Sequence, residues 1–126
     1  MKKLDQITHL RKTKAQYFLK KLQDLSSKII LPTISEGTDP NWHIFAIRVP
    51  RSSRNRIIRD LKLYGIEAAF HFLPLHTSVM GKKLGYKIGD LPVTEEVSFT
   101  LIRLPIYPQL NLSEIDYIVA VLKKIL

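Results

Sequence analysis

The chain is predicted to fold as an α+β domain: a small, mostly antiparallel sheet with helices packed largely on one face and a long N-terminal amphipathic helix. Three features carry this expectation. Leu4, Ile7, Leu10, Phe18, Leu22 and Leu25 recur at near-helical spacing from Lys3 to about Lys28, with Lys and Arg on much of the other face. Two strand-like runs, 42–49 and 66–72, flank a helical pattern between them. Near the C-terminus, Ile115, Ile118, Val119, Leu122 and Ile125 make a single apolar stripe.

The elements follow in order. The first helix gives way to a loop from Leu31 to Asn41, where Pro32, Gly37 and Pro40 stand among polar residues. Residues 42–49 are apolar on both faces apart from His43 and Arg48, as expected of a strand covered on both sides. Pro50 ends that strand. Ser52 or Ser53 can then cap a helix that carries Ile57, Ile58 and Leu61 and stops at Gly65. The run 66–72 alternates, so Ile66, Ala68, Phe70 and Phe72 share the inward face while Glu67, Ala69 and His71 share the other. Thr94 caps a short helix through Val97 and Leu101. The prolines in Leu104-Pro105-Ile106-Tyr107-Pro108 then limit that stretch to a short or edge strand, because proline cannot donate to a ladder. Ser113 with Asp116 resembles a capping box opening the last helix, and Lys123 and Lys124 suit its C-terminal end.

With 126 residues, 45% of them hydrophobic, the chain suits one domain with a modest core. It contains no cysteine, which excludes disulfides and thiolate metal sites and agrees with a reducing compartment. No apolar run approaches a membrane span. The Lys-rich start lacks the apolar segment of a secretory signal, so the cytoplasm is the expected location. The formal net charge of +9 is concentrated in two places. Residues 1–28 hold eight basic side chains against Asp5 and Asp24, and Arg48, Arg51, Arg54, Arg56, Arg59 and Lys62 face only Asp60. A polyanion-binding domain is one reading of these clusters. They lack interleaved stacking aromatics and any nucleic-acid module signature, so solvated helix faces account for them better.

The chemistry-bearing stretch runs from Ile66 to Pro92. His71 and His76 lie five residues apart across a Leu-Pro-Leu turn, and no third ligand joins them in a metal-binding pattern. Gly81, Gly85 and Gly89 match neither the dinucleotide nor the P-loop pattern and read as turn residues. His9 and His43 are explained by packing or capping. Tyr86 and Tyr107 could reach a ligand with their hydroxyls, although half-buried rings with their tips in water account for them better.

The motifs His71-Phe72-Leu73-Pro74-Leu75-His76, Leu84-Gly85-Tyr86, Gly89-Asp90-Leu91-Pro92 and Leu104-Pro105-Ile106-Tyr107-Pro108, in this order before a last helix, resemble the C-terminal domain of the DegT/DnrJ/EryC1/StrS sugar aminotransferases. The resemblance is clear from about Trp42 onward. It implies that residues 1–30 are a linking helix and 31–126 the small domain of a pyridoxal phosphate enzyme that aminates a keto-deoxysugar on a nucleotide, with the large domain and its cofactor lysine outside this chain. It places His71, Phe72, Leu73 and His76 on the sugar-nucleotide side of the cleft. It implies no catalytic residue here and no cofactor bound by this chain alone, so that a fragment of this kind is inactive. Ser98-Phe99-Thr100-Leu101-Ile102-Arg103 echoes the stretch before the family's cofactor lysine, but an arginine cannot form an imine, and the segment stands in the C-terminal order. Lys82, Lys83 and Lys87 lie in a polar loop with nothing to desolvate them. The expected partners are a second copy of the chain or a separately encoded large domain, and the nucleotide sugar in the whole enzyme. The rival reading is a stand-alone dimerisation module that uses the apolar side of the first helix, with Leu4, Ile7, Phe18 and Leu22 left uncovered.

Overall fold

The computed structural model describes residues 2–126, the side chain of Lys2 apart. Its elements are α1 (Lys2–Leu22), β1 (Phe45–Arg48), α2 (Arg54–Leu63), α3 (Val79–Lys83), α4 (Pro92–Thr100), β2 (Leu101–Leu104) and α5 (Leu112–Ile125). Short 3-10 turns follow α1 (Gln23–Leu25) and precede α3 (Leu75–Thr77). The fold is α+β as predicted. β1 and β2 pair antiparallel, with Phe45 opposite Leu104 and Ile47 opposite Ile102. Single antiparallel bridges extend this pair on both sides, Ile30 to Arg48 and Ala69 to Arg103.

One face of the sheet carries the core. Phe45, Ile47, Ile102 and Leu104 project from it and are sealed, together with Phe18 and Leu22 of α1, Ile57 and Leu61 of α2, and Ile115 and Leu122 of α5. The rings of Phe18 and Phe45 stack at 4.8 Å. Exposed pairs fasten α1 and its following turn to α5. Tyr17 donates its hydroxyl to the Asp116 carboxylate at 3.1 Å, Lys21 lies 2.8 Å from the same carboxylate, and Lys123 lies 2.8 Å from Asp24. The first helix is therefore part of this core. Phe18 and Leu22 are fully buried, contrary to the expectation that they lie uncovered, and only the N-terminal end around Leu4 remains open.

Several other expectations are corrected. The first strand is covered on one face only, since Ala46 and Arg48 are half-buried between sealed Phe45 and Ile47. Arg54, taken with its neighbours as solvated, is buried. The segment 66–72 touches the sheet through Ala69 alone, so the alternation stops governing its side chains beyond that residue. Phe70 and Phe72, expected inward, are 44% and 78% exposed. Of the stretch expected as a short or edge strand only Leu104 is in a strand, the short β2, which Pro105 ends and which lies between β1 and Ala69 and not at an edge. α4 starts at Pro92, whose fixed φ and missing N–H suit a first helical position, and not behind Thr94. The capping box of α5 lies two residues upstream of the expected one. Asn111 caps the helix, and the Glu114 side chain accepts from the Asn111 N–H at 2.7 Å. Gly65 ends α2 as expected, with a φ of 73° that an L side chain adopts poorly.

Candidate functional site

The stretch from Phe70 to Val93 leaves the sheet and is folded against α4 by three polar ties. Ser98 donates its hydroxyl to the Phe72 carbonyl at 2.8 Å, which holds the segment where it departs from Ala69. His76 is buried in its 3-10 turn, with Nε2 2.8 Å from Glu95 Oε1. The same oxygen accepts the Gly89 N–H at 2.7 Å, so one carboxylate of α4 gathers both ends of the loop. The His76 and Gly89 hydrogen bonds, in that order, hold the Glu95 carboxyl below the usual glutamate range. Gly81 is helical, not a turn residue. A Cβ there would run into the carbonyl oxygens of Leu75 and His76, so only glycine lets α3 lie this close to the turn.

This frame presents an apolar surface. Phe72, Leu73, Leu75, Val79, Leu84 and Ile88 are each at least 66% exposed. Phe70 lies under the Arg54 guanidinium, 4.4 Å from its centre, and burial pushes the Arg54 pKa down. Of the sequence-predicted site residues, Phe72 and Leu73 thus stand open and His76 is committed to Glu95. His71 lies between these cases. It is half-buried, its ring meets Phe72 edge-on at 5.2 Å, and its Nδ1 is sealed with no hydrogen-bond partner. Burial first, then the positive charges of Arg103 and His43, push its pKa down.

That neighbourhood joins residues that sequence reasoning took separately. The Ala69–Arg103 bridge puts Arg103 on the open face of the sheet, the face assigned to Glu67 and His71 by alternation. His43, Glu67, Arg103 and Tyr107 line a depression of about 300 Å³. His43 is oriented by Asn41, whose Oδ1 lies 2.9 Å from its Nδ1. Period-two alternation within Leu101–Leu104 was the available signal for Arg103, since it sets that residue opposite to Ile102 and Leu104. No local pattern connects it to His43, which is sixty positions earlier.

The loop lysines Lys82, Lys83 and Lys87 are exposed, and among the described residues none of the three is in an ion pair, so these loop lysines do not assemble an imine-forming site for pyridoxal phosphate with a partner for the pyridinium nitrogen. Among the described residues, no group of three or more His, Asp or Glu is placed to hold a metal ion, and no helix is long and apolar enough to cross a membrane.

The chain is similar to known proteins along nearly its whole length. The chain is 31% identical to an uncharacterized protein of Methanocaldococcus jannaschii over 99% of its own length and 33% of the relative's. It is 30% identical to dTDP-3-amino-3,4,6-trideoxy-alpha-D-glucose transaminase of Micromonospora megalomicea over 98% of its length and 34% of that enzyme. Among solved structures it superposes on DesV of S. venezuelae, described in complex with a ketimine intermediate, with a TM-score of 0.88 and 28% identity, covering 95% of this chain and 32% of DesV. The chain thus spans about a third of the length of the relatives it matches. The DegT/DnrJ/EryC1/StrS aminotransferase family model matches residues 1–123, and the chain belongs to that family.

Proposed function

We propose that residues 31–126, with α1 as the connecting helix, act as the small domain of a nucleotide-sugar aminotransferase that transfers an amino group to a keto-deoxysugar in polysaccharide or amino-sugar biosynthesis. The observation that carries this reading is the apolar surface from Phe70 to Val93. It is fixed to α4 by His76, Glu95 and Ser98, yet it has no cover of its own. A loop so firmly held and so apolar suits burial against another body, and the family supplies a large domain carrying the cofactor lysine. In this reading Phe72 and Leu73 form the wall beside the sugar, His71 offers it a hydrogen bond, and His76 holds the wall in place from behind. Pyridoxal phosphate and the amino donor, such as glutamate, are handled by the large domain, so residues 1–126 alone give no turnover. A cytoplasmic location follows from the nucleotide-activated substrate.

A second reading is favoured by the same surface: alone, the chain is an interaction module that covers its apolar loop with another copy. Light scattering across a concentration series then shows a dimer or larger species.

The test of the first reading replaces the corresponding third of the Micromonospora megalomicea transaminase with this chain and follows each half-reaction. Turnover of the sugar substrate is expected to fall on His71→Ala while the half-reaction with the amino donor is spared. If His71→Ala leaves the sugar half-reaction of a folded, active chimera unchanged, the site assignment is wrong.

A further inference from the structure

The open face of the sheet brings Arg103, His43 and Tyr107 to one depression, with Glu67 the one carboxylate in its lining. Arg103 belongs to no ion pair or side-chain hydrogen bond among the described residues, although seven such pairs occur elsewhere. The His43 ring stands at the same depression with Nδ1 turned to Asn41, and among the described residues neither its Nε2 nor the Tyr107 hydroxyl has a hydrogen-bond partner. His71 adjoins them with an unpartnered, sealed Nδ1, and it feels the positive charge of both Arg103 and His43. Glu67, although it lines the same depression, makes no ion pair with Arg103. A rigid fork, an imidazole and a phenol converging on a concave surface of about 300 Å³ are the donor set of an oxyanion site.

We propose that the depression between His43, Arg103 and Tyr107 binds phosphate oxyanions, as a free diphosphate or as the diphosphate of a nucleotide ligand. Arg103 supplies paired N–H donors, His43 and Tyr107 one donor each. The assignment to the nucleotide rests on the aminotransferase reading, whereas the anion site itself rests on this geometry. Glu67, in the lining, works against the anion, so its removal strengthens binding. Five titratable groups face the site: His43 ahead of β1, Glu67 and His71 from the segment after α2, Arg103 of β2 and Tyr107 after β2. Lys62 of α2 shares the adjoining depression with Glu67 and Arg103. Protonation of the adjoining His71, whose pKa burial pushes below the ordinary histidine value, adds positive charge, so affinity rises as the pH falls through that lowered value.

The experiment titrates the full chain with inorganic pyrophosphate and, separately, with uridine diphosphate, following histidine ring resonances and backbone amides by NMR at constant ionic strength. Saturable shifts at His43, Arg103 and Tyr107 are expected. Arg103→Gln weakens binding about tenfold, Glu67→Gln strengthens it, and Lys83→Gln, on the remote loop, leaves it unchanged. Tighter binding of uridine diphosphate than of pyrophosphate identifies the nucleotide as the ligand; equal binding identifies the diphosphate group alone. Absence of shifts at these residues overturns the site, as does an equal loss in Arg103→Gln and Lys83→Gln, which would mean that the chain's net charge alone attracts the anion. Because binding is read on this chain by itself, failure here leaves the chimera assay standing, and failure of the chimera leaves the anion site standing.

Discussion

Replacing Phe70 by Ala separates the burial that sequence alternation predicts from the burial observed. Were the ring in the core, its loss would cost about 3–5 kcal/mol, as expected for the sealed Phe45. Phe70 is 44% exposed, so just over half of its surface is protected. Complete burial of such a side chain contributes about 1.5–3 kcal/mol, which leaves about 1–1.5 kcal/mol at stake. The guanidinium of Arg54, centred 4.4 Å from the ring, adds about 0.5–1 kcal/mol at a partly open position. The surroundings can admit water where the ring was, so no closed cavity adds to the loss. Removal of the ring also uncovers Arg54, and the renewed hydration of a guanidinium whose pKa burial has lowered offsets part of the loss. Urea unfolding followed by circular dichroism is expected to give a destabilisation of about 1–2.5 kcal/mol for Phe70→Ala, well below that of Phe45→Ala. Phe70→Leu, which keeps most of the covered area without the π face, falls between wild type and Phe70→Ala. Equal effects of Phe70→Ala and Phe45→Ala would refute the reasoning, because the ring would then be a core residue and the segment a strand as far as Phe72.

Gly81→Ala puts a methyl group onto the carbonyls of Leu75 and His76, where backbone must move, and is expected to cost about 1–3 kcal/mol. Faster amide exchange in residues 75–84 than in β1 and β2 checks this, and unaltered exchange there would contradict the close packing. Glu95 has a lowered folded pKa, so the stability it contributes is present above the ordinary glutamate value of about 4.3 and is lost as the pH falls through the depressed folded value. In an NMR titration the Gly89 amide should therefore move with a midpoint below about 4.3, and Glu95→Gln should abolish that step; a midpoint at or above it would remove the His76–Glu95–Gly89 tie from the account.

Much of the fold was legible because it depends on patterns that repeat within one element. The apolar stripe of α5 projects one way in any helix, so Ile115, Ile118, Val119 and Leu122 are buried as the sequence implies. Gly65 stops α2 because the positive φ after a helix is a backbone requirement visible locally. Ladder partners are not local, and there the sequence was silent. Alternation assigns faces only while hydrogen bonds keep a segment extended, and 66–72 is bridged at Ala69 alone. Its first half obeys the pattern, with Ile66 buried, and its second half turns Phe70 and Phe72 outward. A proline-rich flank made 104–108 look like an edge, whereas β2 is central because its partners come from residues more than thirty positions away on either bridge. Capping chemistry recurs at equal spacing, Ser113 with Asp116 and Asn111 with Glu114, and the helix start that packs Ile115 inward decides between them.

The chain by itself determined its class, its family motifs and the stretch that carries the chemistry, since each is written in residue type and spacing over short distances. Tertiary structure alone decided which of those residues stand open and which are spent on internal contacts. His76 is spent on Glu95 nineteen residues on, and Arg54 is buried beside Phe70. His43 meets Arg103 across the sheet. Such pairings depend on where distant segments cross, and that is set by packing of the whole core, not by the sequence around either partner.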